Sequence, residues 1–255
     1  MDTEIRSIEQ IHQYINREIE SIPFSGCPSN LYDPIAYIMH QNGKRLRPVL
    51  ALIACNMLGG DLNKIIRPAI GIEIFHNFTL VHDDIMDQSP IRRNHETVYK
   101  KWGTNTAILA GDTMFALAYE FLVQTDEDIL GEILRLFNKT AIEVCEGQQL
   151  DIEFENRIDV SIDDYIEMIR KKTAVLLGTS LMTGAIVARA SKEQAEHLYK
   201  IGIMMGLAFQ LMDDILDVYA QQDKFGKSIG NDILTNKRTY LFLQAYHKAN
   251  PSQRR

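Results

Sequence analysis

Residues 75–87 have the sequence FHNFTLVHDDIMD, an apolar segment that ends in three aspartates. The segment belongs to a longer pattern whose apolar residues recur three or four positions apart: Ile70, Ile74, Phe78, Val81 and Ile85. That spacing places the apolar side chains on one face of an α-helix. We therefore predict a long helix that buries this face and carries the aspartates at its end.

The rest of the chain favours helices as well. Its 7 prolines leave residues 91–250 without one, and proline is the residue that most strongly interrupts helix interiors. Three polar pairs have the spacing of capping boxes: Thr125 with Asp128, Ser161 with Asp164, and Ser191 with Gln194. These signals predict an all-α fold of long helices.

Composition restricts the class of protein. Hydrophobic residues make up 45% of the 255 residues, and the net charge is −7, which argues against both a disordered chain and a nucleic-acid coat. No linker divides the sequence, so we expect a single domain over residues 1–255. The longest uncharged run, residues 173–188, is too short to span a membrane.

The 3 cysteines have no CxxC or Cys/His spacing, so the sequence predicts neither disulfides nor a zinc site. The first residues, MDTEIRSIEQ, lack the basic and apolar regions of a signal peptide. We expect a cytoplasmic location.

A second aspartate cluster, DDILD at residues 213–217, repeats the pattern of DDIMD at residues 83–87. On a helix, the first and third aspartates of each cluster lie on one face, where like charges oppose helix formation by about 0.2–0.5 kcal/mol per pair. A single cluster of this kind would be an ordinary solvated face. Its repetition in two apolar segments predicts a counter-charge, and Mg²⁺ bridging a diphosphate suits carboxylate ligands best.

Basic residues accompany both clusters in this acidic chain. They are Lys44, Arg45 and Arg47 in GKRLRP, Arg92 and Arg93, Lys171 and Lys172, and Lys227 and Lys237. Taken singly, each is an ordinary surface cation. Together they predict a second phosphate-binding site that works without metal, in which arginine supplies bidentate hydrogen bonds and lysine a point charge.

These motifs, in this order, resemble those of the trans-isoprenyl diphosphate synthases, also called polyprenyl synthetases. The resemblance covers residues 34–241 and includes GKRLRP, both aspartate clusters, the arginine pair and FGKSIGND. It implies a single-domain bundle of long antiparallel helices around a central apolar cavity, the isoprenoid synthase fold. It also implies a homodimer that uses Mg²⁺ to join isopentenyl diphosphate to an allylic diphosphate, head to tail.

The same resemblance implies a role for individual residues. The magnesium ligands would be Asp83, Asp84, Asp87, Asp213, Asp214 and Asp217. The allylic diphosphate would contact Arg92, Lys172, Lys227 and Lys237, and isopentenyl diphosphate would contact Lys44, Arg47, His76 and Arg93. Thr173 and Gln210 would lie beside the reacting carbon. The first cluster, Asp213, Arg92, Lys172, Thr173 and Gln210 would form the catalytic set.

Product length is expected to depend on residues that precede the first cluster on its helix. Phe78 lies about 7.5 Å before Asp83 along the helix axis, and Phe75 lies one turn further. Periodicity alone is equally compatible with two ordinary core side chains. The resemblance implies that an aromatic residue at Phe78 shortens the product, so we predict fifteen to twenty carbons, with geranylgeranyl diphosphate favoured.

Several positions depart from the family pattern or have a structural interpretation. Asn42 and Asn94 replace glycines, and the short stretch after Lys237 predicts that C-terminal helices of the family are missing. His82 is interpreted as structural, and Asp112 as a buried structural acid.

Two other functions remain open from the sequence. A class I terpene cyclase also uses a DDxxD motif with magnesium, although it needs neither a second cluster of this type nor GKRLRP. A non-catalytic subunit of a hetero-oligomeric prenyl synthase would explain the fold without turnover, although such subunits tend to lose aspartates or arginines that are intact here.

Overall fold

The computed structural model describes residues 7–157, 159–219, 237–250 and 252–253. Almost all of its regular structure is helical, which confirms the predicted all-α class. The chain divides into two compact units, Met1–Arg135 with Ser180–Leu198, and Leu136–Thr179 with Tyr199–Arg255. None of the described helices is long and apolar enough to cross a membrane.

The described elements are helices and one short hairpin. In chain order they are α1 (Ile8–Glu20), α2 (Ser29–Met39), α3 (Leu46–Met57), α4 (Leu62–Met86), β1 (Ile91–Arg92), β2 (His95–Glu96), α5 (Val98–Trp102), α6 (Thr104–Leu122), α7 (Glu127–Glu155), α8 (Ile162–Ile169), a π-helix (Arg170–Ala174), α9 (Val175–Val187), α10 (Lys192–Tyr219) and α11 (Tyr240–Lys248).

Helix α4 is the centre of the first unit, where it packs against α3 and α6. On the predicted face, Ile70, Ile74 and Val81 are buried, whereas Phe78 and Ile85 are partly exposed. Ile72 and Phe75 on other faces are buried too. Burial on several faces is expected for a helix that has neighbours on more than one side, so α4 holds its side chains in fixed places.

A two-stranded antiparallel hairpin follows the first aspartate cluster, with Arg92 paired to His95. Its loop residues, Arg93 and Asn94, have φ values of 51° and 64°. Positive φ at both loop positions is typical of the tight hairpin turn whose twist matches the strands. Asparagine tolerates this conformation better than most residues, which explains how Asn94 can stand in place of a glycine.

The second unit has a core cluster of Phe154, Val160, Tyr165, Met168, Ile169 and Leu243. It joins the end of α7 to α8 and α11. The π-helix Arg170–Ala174 follows α8 directly and separates it from α9. Such π-helical turns are rare and are found mostly at functional sites.

Two of the three predicted capping boxes are present. Ser161 and Asp164 cap α8, and Ser191 and Gln194 make the same reciprocal hydrogen bonds before α10. The prediction for Thr125 is wrong, because α7 begins at Glu127 and Thr125 Oγ1 is buried without a hydrogen-bond partner in the described part of the chain.

Candidate functional site

The loop GKRLRP is fixed by Arg45, one of the basic residues that the sequence grouped into a phosphate-binding site. Arg45 has φ 46° at the start of α3, and its side chain is buried. Its Nη1 donates to Glu73 Oε1 of α4 at 3.0 Å. Its Nη2 donates to the carbonyl oxygens of Met39 and Gln41, at 2.6 and 2.7 Å. These bonds attach the loop to α4 and offset the cost of its strained backbone.

Three predicted ligands of isopentenyl diphosphate influence one another in the first unit. Desolvation lowers the pKa of Arg47 to about 10, with a further decrease from Arg93 that Glu73 opposes. Desolvation, followed by the charges of Arg47 and Arg93, holds the pKa of His76 well below its usual value. The structure therefore brings Arg47, His76 and Arg93 together, with the imidazole neutral at pH 7.

Lys44 and Arg93 lie at the outer side of the same loop. Lys44 is exposed next to Gly43. A Cβ atom added at Gly43 would lie 3.0 Å from Arg93 Nη1, so the guanidinium of the hairpin reaches the GKRLRP loop. Desolvation and the neighbouring Arg45 lower the pKa of Arg93, although Glu73 partly counters this.

The cations of this cluster are only partly balanced. Glu73 is paired with Arg45, and Asp84 is paired with Arg92. Within the described ranges, Arg47 has no carboxylate partner, and its buried Nε atom makes no hydrogen bond. Buried polar groups are normally satisfied, so an orphaned guanidinium nitrogen points to a missing anionic partner.

The first aspartate cluster divides into one buried and two accessible acids. Asp84 is buried and accepts a hydrogen bond from Arg92 Nε at 2.7 Å. Burial raises its pKa to about 6, although Arg92 opposes the increase. Asp83 is partly exposed, and Asp87 is exposed at the end of α4. The first and third carboxylates thus both have exposed surface, which agrees with the shared helix face that the sequence predicted.

The second cluster places its middle acid inward too. Asp214 is buried and accepts hydrogen bonds from the Tyr165 hydroxyl, from Gln210 Nε2 at 3.2 Å, and from the Tyr240 backbone N–H at 3.3 Å. Burial raises its pKa, and these bonds oppose the increase. Asp213 is partly exposed, whereas Asp217 is buried. Tyr165 was missed because its position on α8 predicts only an ordinary core residue.

The remaining predicted contacts of the allylic diphosphate lie in the second unit or outside the described residues. Lys172 Nζ lies 2.6 Å from Asp151 Oδ2, and Thr173 Oγ1 donates to Gln210 Oε1 at 3.2 Å. Lys237 is partly exposed just before α11. Lys227, with the FGKSIGND motif, lies outside the described residues.

The predicted chain-length residues belong to an aromatic cluster in the first unit. Phe75 is fully buried, and Phe78 is partly exposed with its ring 5.4 Å from that of Phe75. Phe115 of α6 contacts both rings, at 5.7 and 5.3 Å between centroids. Sequence reasoning missed Phe115 because its contact with α4 depends on the packing of two helices.

Two structural interpretations have different outcomes. The Asp112 side chain is 63% exposed, so the prediction of a buried acid is wrong; its Oδ1 lies 3.9 Å from His82 Nε2 of α4. His82 Nε2 lies 3.2 Å from the carbonyl oxygen of Ile108, which agrees with the structural role predicted for this histidine.

We predict that Glu73→Ala lowers the free energy of unfolding by about 3–5 kcal/mol, because it leaves the Arg45 guanidinium buried without its charge partner. Urea unfolding followed by circular dichroism measures the change. The exposed Glu132→Ala is the matched control and should stay within about 0.5 kcal/mol of the unsubstituted chain. A loss below about 1 kcal/mol for Glu73→Ala would contradict this role of the ion pair.

Comparison with known proteins gives a consistent result. A family model described as polyprenyl synthetase matches residues 28–255. The geranylgeranyl diphosphate synthase of Methanosarcina mazei is 37% identical over 248 residues, covering 96% of this chain and 76% of that protein. The geranylgeranyl pyrophosphate synthase of Geoglobus acetivorans is 41% identical over 237 residues, covering 92% of this chain and 74% of its own length.

Solved structures agree with the sequence relatives. A crystal structure of a geranylgeranyl pyrophosphate synthase has a TM-score of 0.92 at 45% identity, with 95% of this chain and 74% of that chain covered. The corresponding synthetase from Pyrococcus horikoshii has a TM-score of 0.90 at 37% identity, with 96% and 76% covered. The chain therefore has the isoprenoid synthase fold and belongs to the polyprenyl synthetase family.

Proposed function

We propose that the protein is a Mg²⁺-dependent prenyltransferase that condenses isopentenyl diphosphate with an allylic diphosphate, head to tail. Its product would be a short all-trans polyprenyl diphosphate of fifteen to twenty carbons, with geranylgeranyl diphosphate favoured. The names of several relatives, geranylgeranyl diphosphate synthases, support this choice over a terpene cyclase or a non-catalytic subunit.

The observation that carries the proposal is the excess of desolvated positive charge around Arg47. Arg47 and Arg93 lower the pKa of His76, and the one nearby carboxylate that opposes their charge, Glu73, is also paired with Arg45. A diphosphate would supply the missing acceptors, and arginine forms bidentate hydrogen bonds with phosphate oxygens. We assign isopentenyl diphosphate to Lys44, Arg47, His76 and Arg93.

The aspartate clusters offer donors that suit Mg²⁺. Both contain only carboxylates, and Mg²⁺ prefers oxygen ligands in an octahedral shell. Among the described residues, no group of three or more His, Cys, Asp or Glu side chains is arranged to hold a metal ion. Mg²⁺ is usually held by one or two carboxylates together with substrate phosphates and water.

The accessible carboxylates are the strongest candidates for metal ligands. Asp83, Asp87 and Asp213 have exposed surface, whereas Asp84 and Asp214 are buried and hydrogen-bonded within the protein. We propose that these two buried acids orient their clusters, and that Asp217 is the least accessible ligand. Bound Mg²⁺ would neutralise the charge that develops on the departing diphosphate.

The chain's own residues then divide the work of prenyl transfer. Arg92 and Lys172, with Lys227 and Lys237, bind the allylic diphosphate and stabilise the leaving pyrophosphate by charge. Thr173 and Gln210 present hydroxyl and amide oxygens beside the allylic carbocation. The π bond of isopentenyl diphosphate attacks this carbon, and the released pyrophosphate accepts the final proton. Holding both substrates in attack geometry lowers the barrier further.

Two observations support a homodimer and a cytoplasmic location. Ile108 and Leu109 of α6 are 41% and 58% exposed, an apolar face that fits burial in a homodimer. The 3 cysteines are unlinked, in keeping with a reducing location such as the cytoplasm. We propose both properties, and no nucleic-acid partner, for this acidic chain.

We expect the purified protein to form prenyl diphosphate from labelled isopentenyl diphosphate, an allylic diphosphate and Mg²⁺. Chelation of divalent metal should abolish the product, and added Mg²⁺ should restore it. A cyclase would instead convert the allylic diphosphate alone, and a non-catalytic subunit would show no turnover without a partner. Chromatography of the dephosphorylated products distinguishes these results, and absence of prenyl product with all three components present would contradict the proposal.

We predict that Phe78→Ala lengthens the main product by at least one five-carbon unit, because it removes the partly exposed ring of the aromatic cluster. Phe242→Ala is the control, since that ring is exposed on α11 and stacks on Tyr246. Mass spectrometry of the products measures the change. An unchanged product distribution for Phe78→Ala would remove Phe78 from the chain-length role.

A further inference from the structure

The basic side chains of the π-helix Arg170–Ala174 face α7. Three ion pairs join the two elements: Arg170 with Glu143 at 3.5 Å, Lys171 with Glu146 at 2.7 Å, and Lys172 with Asp151 at 2.6 Å. Glu143 and Glu146 are three residues apart on α7 and lie on neighbouring positions of its surface, whereas Asp151 follows Glu146 by five residues and lies further around the helix. The position of the three cations therefore depends on how closely α7 approaches the π-helix.

Gly147 makes the closest part of that approach. A Cβ atom at Gly147 would lie 2.7 Å from Lys172 Cα and 2.8 Å from the carbonyl carbon of Lys171, and nearer still to the backbone nitrogen of Lys172. Backbone atoms of a packed helix cannot turn aside as the end of a flexible side chain can. Gly147 thus lets α7 touch the main chain at Lys172, one helical turn before Asp151, which holds the same lysine.

Helix α10 repeats this arrangement at the other end of the π-helix. A Cβ atom at Gly206 would lie 2.6 Å from Ala174 Cβ and nearer still to Ala174 Cα. One turn later on α10, Gln210 accepts the hydrogen bond from Thr173. On each neighbouring helix, a glycine contacts the π-helix and the residue four positions later holds one of its polar side chains.

We propose that Gly147 and Gly206 are positioning residues for prenyl transfer, acting through Lys172 and Thr173. The inference rests on the proposed function, which assigns these two side chains to the allylic diphosphate and the reacting carbon. Because glycine has no side chain, the backbone of the π-helix can contact both helices. This contact fixes the backbone positions from which the Lys172 and Thr173 side chains extend.

The expected effect of a methyl group at Gly147 follows from the distances. Ordinary contact between carbon atoms needs about 3.5–4.0 Å. A Cβ atom 2.7 Å from Lys172 Cα must therefore displace the π-helix or α7 by roughly 1 Å. A displacement of about 1 Å at a reacting group can reduce the rate by about 100-fold.

We expect Gly147→Ala to lower kcat by roughly 10- to 100-fold, while the KM for isopentenyl diphosphate changes less than about threefold, since other residues bind that substrate. Gly131→Ala is the matched control on the same helix, because the nearest neighbour there is the flexible end of Arg135 at 3.3 Å. It should keep kcat within about twofold, as an exposed helical glycine replaced by alanine costs nothing. Thermal unfolding of each variant is recorded in parallel.

A double-mutant cycle distinguishes positioning from general destabilisation. If Gly147 acts through Lys172, the loss of kcat caused by Gly147→Ala should shrink at least fivefold when Lys172→Ala is already present. Equal losses in both backgrounds would overturn the proposal, as would a folded Gly147→Ala variant with unchanged kcat. If Gly147→Ala fails to unfold cooperatively, Gly206→Ala is measured in its place, with Thr173→Ala as the second substitution.

Binding of inorganic pyrophosphate with Mg²⁺, measured by calorimetry, decides the proposal independently of turnover. Gly147→Ala should weaken this binding at least fivefold through the displaced Lys172, whereas Gly131→Ala should leave it unchanged. Equal affinities for the two variants would overturn the positioning role, even if the unsubstituted chain made no prenyl product. Failure to form product contradicts the proposed function alone.

Discussion

The buried ion pair between Arg45 and Glu73 supports the cation cluster of the first unit. It ties a loop with strained backbone to α4, where Glu73 precedes His76 by less than one helical turn. Removing one partner of a buried pair is costly, so the pair is a constraint on the fold as well as on the site. Glu73 offsets the charge of Arg47 only in part, and Arg47 forms no ion pair of its own in the described part of the chain, so an anionic ligand can occupy that role.

In the second unit, the charged groups around the π-helix are paired within the protein. There, Lys172 is held by Asp151, and the buried Asp214 is satisfied by Tyr165, Gln210 and the backbone of Tyr240. The polar groups are oriented by hydrogen bonds and by direct backbone packing. An oriented site avoids reorganisation during reaction, which is the condition under which charge stabilisation is most effective. Each unit therefore holds charged side chains in fixed positions. In the first unit, one of them, Arg47, has a buried Nε atom without a hydrogen bond.

Local sequence signals predicted the helical class, two capping boxes and the shared helix face of Asp83 and Asp87. These features depend on neighbours within one or two turns of the same helix. The role of Arg45 and the contact of Phe115 could not be found in this way, because their partners lie far away in the sequence. The sequence did not predict the π-helix for a related reason. Its geometry depends on packing against α7 and α10, and its own residues carry no local signal of that packing.

Binding of isopentenyl diphosphate without metal, measured by isothermal titration calorimetry, tests the central claim about the uncompensated charge most directly. Loss of charged hydrogen bonds costs about 1.5–3 kcal/mol, so Arg47→Ala should weaken binding roughly 10- to 150-fold. The exposed Arg135→Ala should leave the affinity unchanged. Equal affinity of Arg47→Ala and the unsubstituted chain would contradict the account, because the anion would then bind without the desolvated guanidinium.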